Sequence, residues 1–333
     1  MRRAVITSSL LSVPLILCRL SRRDDDTADK LLTNVYCNTS AQSGSKLSRK
    51  LEHVHPSAVR SPRSTWPSIL HPFMTCCDFK EISDMSDISE AITGDTLLIY
   101  DLDNTVYEPV GNYGSDQWFF YLNSVYQRNG FSAEDSEEKA LELWNRTQYL
   151  IKVKPVESST PQLIREQQSQ GIKVIAMTAR TQETADITLG QLRSIGVSFE
   201  HSSIYDNTLQ IKQNSNDWLR SDVMLHRGVL FVGEKNAKGA VLLLMLEKLK
   251  YRPKNVVFVD DRLRHIIGVE TALESIGVPY KGFRYGGADA KVKAFVEFTS
   301  EITDRETAET FYMGRPTWQM ENETGRSPPS ASL

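Results

Sequence analysis

Asp101 and Asp103 stand one residue apart at the end of an apolar run, in the stretch LLIYDLDNTVYEP at 97–109. Leu97, Leu98, Ile99 and Tyr100 have the unbroken apolar character of a strand buried on both faces, so the two carboxylates sit at the tip of a rigid support. Thr178 follows a second such run in AMTAR (176–180), and Asp260 with Asp261 follows a third in VVFVDD (256–261). Lys235 and Lys238 lie in GEKNAKG (233–239), just ahead of an apolar helix. Two carboxylates about 4 Å apart repel by roughly 4 kcal/mol at an effective dielectric near 20, so a cluster of them requires a cation or retained protons. Oxygen ligands with no His or Cys beside them select Mg2+ over Zn2+, and Mg2+ keeps positions for water and a phosphate.

The elements that would gather these groups are readable. Strands are expected at 96–101, 172–177, 229–232, 255–260 and 279–285, separated by helices. One helix starts at Thr160-Pro161 with an N-cap and a first-turn proline. A stripe of Ala185, Leu189, Leu192 and Ile195 stops at Gly196. A third helix runs from Lys238 through 249, and a fourth through Ile267, Thr271, Leu273 and Ile276 to Gly277. Such alternation predicts an α/β, doubly wound, mainly parallel Rossmann-like sheet, whose ligand site lies at the carboxyl ends of the strands. Between Thr105 and Thr160, two helical stretches at 116–130 and 132–146 form an insert. Trp118, Phe119, Leu122, Val125 and Tyr126 make an apolar stripe facing Leu141 and Trp144, and Ser132 with Asp135 has capping-box spacing. Short strands are expected within 204–213 and 222–231, the second stretch containing a turn at 226–228, with His201 and His226 at the surface.

The chain has 333 residues, 40% of them hydrophobic, and a net charge of -3, which argues against a general polyanion binder and so against nucleic acid. Apolar patterning is sparse over 1–80, dense over the expected domain at 81–300, and absent from the expected flexible tail at 301–333. Met1-Arg2-Arg3 and the apolar stretch at 4–17 have the start of an export or organelle-targeting leader, without an evident cleavage site before Arg19. If that leader is no signal, a cytoplasmic location is expected. Pro14 interrupts the stretch, which is too short for a stable membrane span. Cys18, Cys37, Cys76 and Cys77 precede the domain and lack zinc-site spacing, while His53 and His55 read as a solvated loop.

DLDNTV at 101–106, Thr178, Lys238 and the Asp260-Asp261 pair, in that order, resemble the haloacid dehalogenase-like superfamily of aspartate-nucleophile phosphohydrolases over about residues 90–296. The runs at 229–246, 256–278 and 283–285 are similar to a bacterial domain family of unknown function within it. The resemblance implies a Mg2+-dependent phosphatase acting on a phosphorylated small molecule. Asp101 would attack phosphorus to form a phosphoaspartyl intermediate. Asp103 would protonate the leaving oxygen and then activate water. Asn104, Thr105, Thr178, Ala179 and Lys238 would surround the phosphate, with Thr178 bonding its oxygens and Lys238 neutralising charge. Mg2+ would be held by Asp101, the backbone carbonyl of Asp103 and Asp260, with Asp261 as the second candidate. The insert, about 107–158, would be a small helical cap over an open or partner-completed site. Phosphotransfer to another hydroxyl stays open, as does a non-catalytic magnesium-binding or interaction module. Lys235 competes with Lys238 for the cationic role, and Arg180 reads equally as a substrate contact or a solvated arginine at a helix start.

Overall fold

A computed structural model describes residues 79–215 and 218–299. The expected leader, with its four cysteines, His53 and His55, and the expected tail lie outside them. The main sheet contains β1 (Phe79–Ile82), β2 (Thr96–Tyr100), β5 (Lys173–Thr178), β6 (Leu209–Ile211), β7 (Val223–His226), β8 (Val229–Phe231), β9 (Asn255–Asp260) and β10 (Tyr280–Tyr285). The short strands β3 (Tyr107–Pro109) and β4 (Val153–Pro155) pair antiparallel as a separate ribbon. Across the main sheet the order is β1-β10-β9-β2-β5-β8-β7-β6. The six strands from β1 to β8 are mutually parallel, and β7 and β6 add antiparallel at the far edge.

All five expected strands form, because their alternate side chains are buried on opposite faces. Leu98, Tyr100, Val174, Ala176, Val257 and Val259 meet α3 (Thr160–Ser169) and α4 (Ala185–Ser194) through Ile164, Leu189 and Leu192. Leu97, Ile99, Ile175, Met177, Val256 and Phe258 meet α5 (Lys238–Leu249) and α6 (Leu263–Glu274) through Val241, Met245, Ile266 and Val269. Each fully buried aliphatic or aromatic side chain contributes roughly 1.5–3 kcal/mol, which is why polar residues are confined to the strand ends. The chain passes from β2 outward to β5 and β8, then returns to β9 on the other side of β2. The connections of β2 and β9 therefore diverge, and a crevice opens at their carboxyl ends.

The insert is an antiparallel helix pair, α1 (Asp116–Arg128) and α2 (Ala133–Gln148). Ser115 caps α1, its Oγ accepting from Trp118 N at 3.2 Å. Ser132 caps α2, accepting from Asp135 N at 3.0 Å, as the capping spacing predicts. The aromatic stripe packs the two helices together, and Phe295 of α7 (Asp289–Thr299) completes that core. The turn at 226–228 forms between β7 and β8, with Arg227 and Gly228 both at positive φ. One boundary differs from expectation, the cap before α3 being Ser159 rather than Thr160; α5 ends at Leu249 as expected, with Lys250 in the left-handed region behind it. Among the described residues no helix is long and apolar enough to cross a membrane.

Candidate active site

The turn after β2 sets the first two carboxylates. Asp101 N continues the ladder by donating to Val259 O at 2.9 Å, and the Leu102 carbonyl then accepts from the amides of Thr105, Val106 and Tyr107. Asn104 supports the reversal at φ 59°, a conformation that Asn tolerates better than most residues. Asp101 and Asp103 are both buried and line a cleft that opens to solvent. Thr178, Ala179 and Lys238 line the same cleft, and Phe119, Phe120, Leu141 and Trp144 of the insert form its far wall. Asn104 and Thr105 lie just behind, with Thr105 Oγ1 donating to Asp101 Oδ2 at 3.4 Å and Asn104 Nδ2 reaching Asp261 Oδ2 at 3.4 Å.

Lys238 opens α5, and its Nζ donates to Asp101 Oδ1 at 2.5 Å and to Asp260 Oδ2 at 2.7 Å. Its approach depends on Gly239, whose missing side chain lets α5 close onto the Gly268 carbonyl of α6. Asn236 fixes the preceding loop by donating to Val232 O at 2.7 Å and accepting from Arg220 N at 2.8 Å. Lys235 is exposed, so the structure brings Lys238 and not Lys235 to the carboxylates. Burial works against the Lys238 charge, but Asp101 and Asp260 outweigh it and hold the ammonium protonated.

Asp260 is buried and accepts from Lys238, from the Arg262 amide at 2.8 Å and from His265 Nδ1 at 3.0 Å. Burial opposes its ionisation, yet His265 and Lys238 prevail and keep the carboxyl below the usual range. Burial pushes His265 down to about 3, so the ring is neutral at neutral pH, with Nδ1–H on Asp260 and Nε2 accepting from Arg264 Nε at 3.2 Å. Burial pushes Asp101 up to about 8 against the pull of Lys238, with Asp260 and Asp103 adding repulsion. Asp261 is driven well above the carboxylate range by burial, which Arg262 only partly offsets. One oxygen from each of Asp101, Asp260 and Asp261 lies within 4.8 Å of the others.

The carboxylate of Asp103 lines the same cleft but has a different cationic partner. Arg180 clamps it at both oxygens, Nη2 to Oδ1 and Nε to Oδ2, each at 2.8 Å. Arg180 is therefore no solvated helix-start residue; it is buried between the rings of Tyr107 and Trp144. Arg262 makes a second bridge to the insert, donating to Asp116 Oδ2 at 3.1 Å and lying 4.4 Å from the Phe120 ring centre. Sequence reasoning did not single out His265, Arg262, Asp116 or Gln148. His265 had a usable signal in its position five residues after Asp260, within the first turn of α6. Asp116 and Gln148 had none, because their partners are far away in the chain.

A Streptococcus pneumoniae protein described as a hydrolase of the haloacid dehalogenase-like family overlays on 61% of this chain and all of its own, at 12% identity and a TM-score of 0.34. A Chlamydia pneumoniae protein named "Putative outer membrane protein" is 24% identical over 216 residues, 64% of this chain and 79% of its own. A Chlamydia trachomatis protein of the same name is 26% identical over 188 residues, 56% of this chain and 68% of its own. Residues 81–311 match the family described as "Protein of unknown function (DUF2608)", and the chain belongs to that family.

Proposed function

We propose that this protein is a Mg2+-dependent phosphomonoester hydrolase working through a phosphoaspartyl intermediate on Asp101. The observation that carries the reading is the joining of Asp101 and Asp260 by Lys238, 137 residues after Asp101, at the crevice where β2 and β9 end. A buried, cation-bridged carboxylate pair at the mouth of an α/β sheet is costly to maintain, and it occupies the place where such sheets bind ligands.

The donor set suits Mg2+. Asp101, Asp260 and Asp261 present oxygens alone, and burial, with the charges of Asp260 and Asp101 adding to it, pushes Asp261 upward, a cost that a divalent cation would relieve. These three carboxylates, with the Asp103 carbonyl, would hold the ion. When bound, Mg2+ would screen the charge on the phosphoryl oxygens and their carboxylate neighbours.

Asp101 attacks phosphorus while the bond to the leaving oxygen breaks, giving an acyl phosphate. Asp103 gives a proton to that oxygen and takes one from the water that hydrolyses the intermediate. Thr178 Oγ and Lys238 Nζ bind the phosphoryl oxygens as charge develops. In this reading the cleft walled by Phe119, Phe120 and Trp144 would take a small phosphorylated molecule. The test is a screen of phosphorylated metabolites with purified protein, with and without Mg2+. Asp101→Asn is expected to lower phosphate release at least about a hundredfold, equivalent to about 2.7 kcal/mol of barrier. Unchanged release in that variant removes Asp101 as the nucleophile.

A further inference from the structure

The geometry points to Arg180 as a positioning residue that aims the Asp103 carboxylate at the reacting oxygen and enlists the helical insert in doing so; this rests on the phosphatase reading above. A guanidinium has five N–H groups, and all five of Arg180 are engaged. Nε and one hydrogen of Nη2 hold Asp103. The other hydrogen of Nη2 donates to Gln148 Oε1 at 3.1 Å, and Nη1 donates to Thr188 Oγ1 at 3.0 Å and Gln191 Oε1 at 2.8 Å. With Tyr107 and Trp144 on its faces, at 5.2 and 4.9 Å, Arg180 has no donor left for a phosphate. It acts on the chemistry through Asp103.

The acceptors are themselves tied down. Gln148, in the last turn of α2, donates to Gly114 O at 2.8 Å, and Gln191 of α4 donates to the Gln148 carbonyl at 3.2 Å. One buried network therefore joins the turn after β2, the residue two beyond Thr178, α4 and the end of the insert. A planar fork of this kind fixes the plane of a carboxylate, whereas a lysine ammonium would supply charge without orientation.

The experiment measures kcat and KM for p-nitrophenyl phosphate with Mg2+, and the thermal midpoint, for the unaltered protein, Arg180→Lys, Asp103→Asn and the double variant. Arg180→Lys is expected to lower kcat about a hundredfold with KM changed by less than about threefold, the size of loss that follows a misplacement near 1 Å. In the Asp103→Asn background the same change is expected to alter kcat by less than about twofold, because the residue it acts through is already disabled. Thr188→Val removes one acceptor from Nη1 and should lower kcat by about threefold at an unchanged midpoint, which keeps the test usable if Arg180→Lys does not fold. A loss that persists in full on Asp103→Asn, or one expressed mainly in KM, overturns the assignment while leaving the phosphatase reading intact. Absence of Mg2+-dependent, Asp101-dependent release from the unaltered protein overturns both.

Discussion

Replacing Lys238 by Met keeps a chain of similar length in the same buried slot and deletes its charge. Oxygens of Asp101, Asp260 and Asp261 then face one another within 4.8 Å without their ammonium. At an effective dielectric near 20, one pair of unit charges at that separation repels by about 3.5 kcal/mol. Removing one partner of a buried ion pair costs a similar amount, about 3–5 kcal/mol. For a domain of this size each kcal/mol is worth about 2–4 °C, so the melting temperature should fall by about 7–14 °C. Proton uptake softens the loss at low pH. Burial already lifts Asp101 to about 8, so the folded chain binds more protons than the unfolded one, and this group's contribution to stability declines as pH rises from the ordinary carboxylate range to about 8. Without Lys238 the decline steepens, and the deficit should be larger at pH 8 than at pH 5. Thermal unfolding followed by circular dichroism in EDTA, then with added Mg2+, reads all of this; the cation should return part of the deficit at pH 8. A melting temperature within about 2 °C of the parent at pH 8 in EDTA would refute the claim that Lys238 compensates buried carboxylates.

Two further substitutions test how Lys238 is placed and chosen. Gly239→Ala would drive a methyl group into the Gly268 carbonyl and to 3.0 Å from Ala272 Cβ, so urea unfolding should show about 1–3 kcal/mol of destabilisation; an unchanged midpoint would mean that α5 and α6 do not meet so closely. Lys235→Ala, at an exposed position, should leave stability within about 0.5 kcal/mol and phosphate release unaltered. A large loss of release there would transfer the cationic role to Lys235.

The sheet was legible because its strands are buried on both faces and so read as unbroken apolar runs, such as Val256–Val259. The helices of the insert were legible from the period of Trp118, Leu122 and Val125, and the hairpin from its turn residues. Less could be read where pairing partners supply the structure. Phe79–Ile82 has two exposed residues in four and becomes a strand by lying against β10, while Tyr107–Pro109 becomes one by meeting Val153–Pro155. At the site, the carboxylates and Lys238 announced themselves through strand ends and a helix start. The side chains that orient them did not, since the setting of Arg180 depends on Gln148, Thr188 and Gln191, which come together through packing alone. Charge at a strand end is a local signal; the direction in which that charge points is a product of distant partners.

The β3–β4 ribbon has a bearing on how such a molecule can change over generations. Tyr107 faces Pro155 and Pro109 faces Val153, so the excursion through the helix pair departs and returns at adjacent points of the backbone. A change of length between the helices leaves the reversal at Asn104 in place only while Asp116, Trp144 and Gln148 keep their hold on Arg262 and Arg180. The helix pair is thus joined to the strands at one narrow point of the backbone and held to the floor by a few buried side chains, so its outer face can vary while those contacts stay.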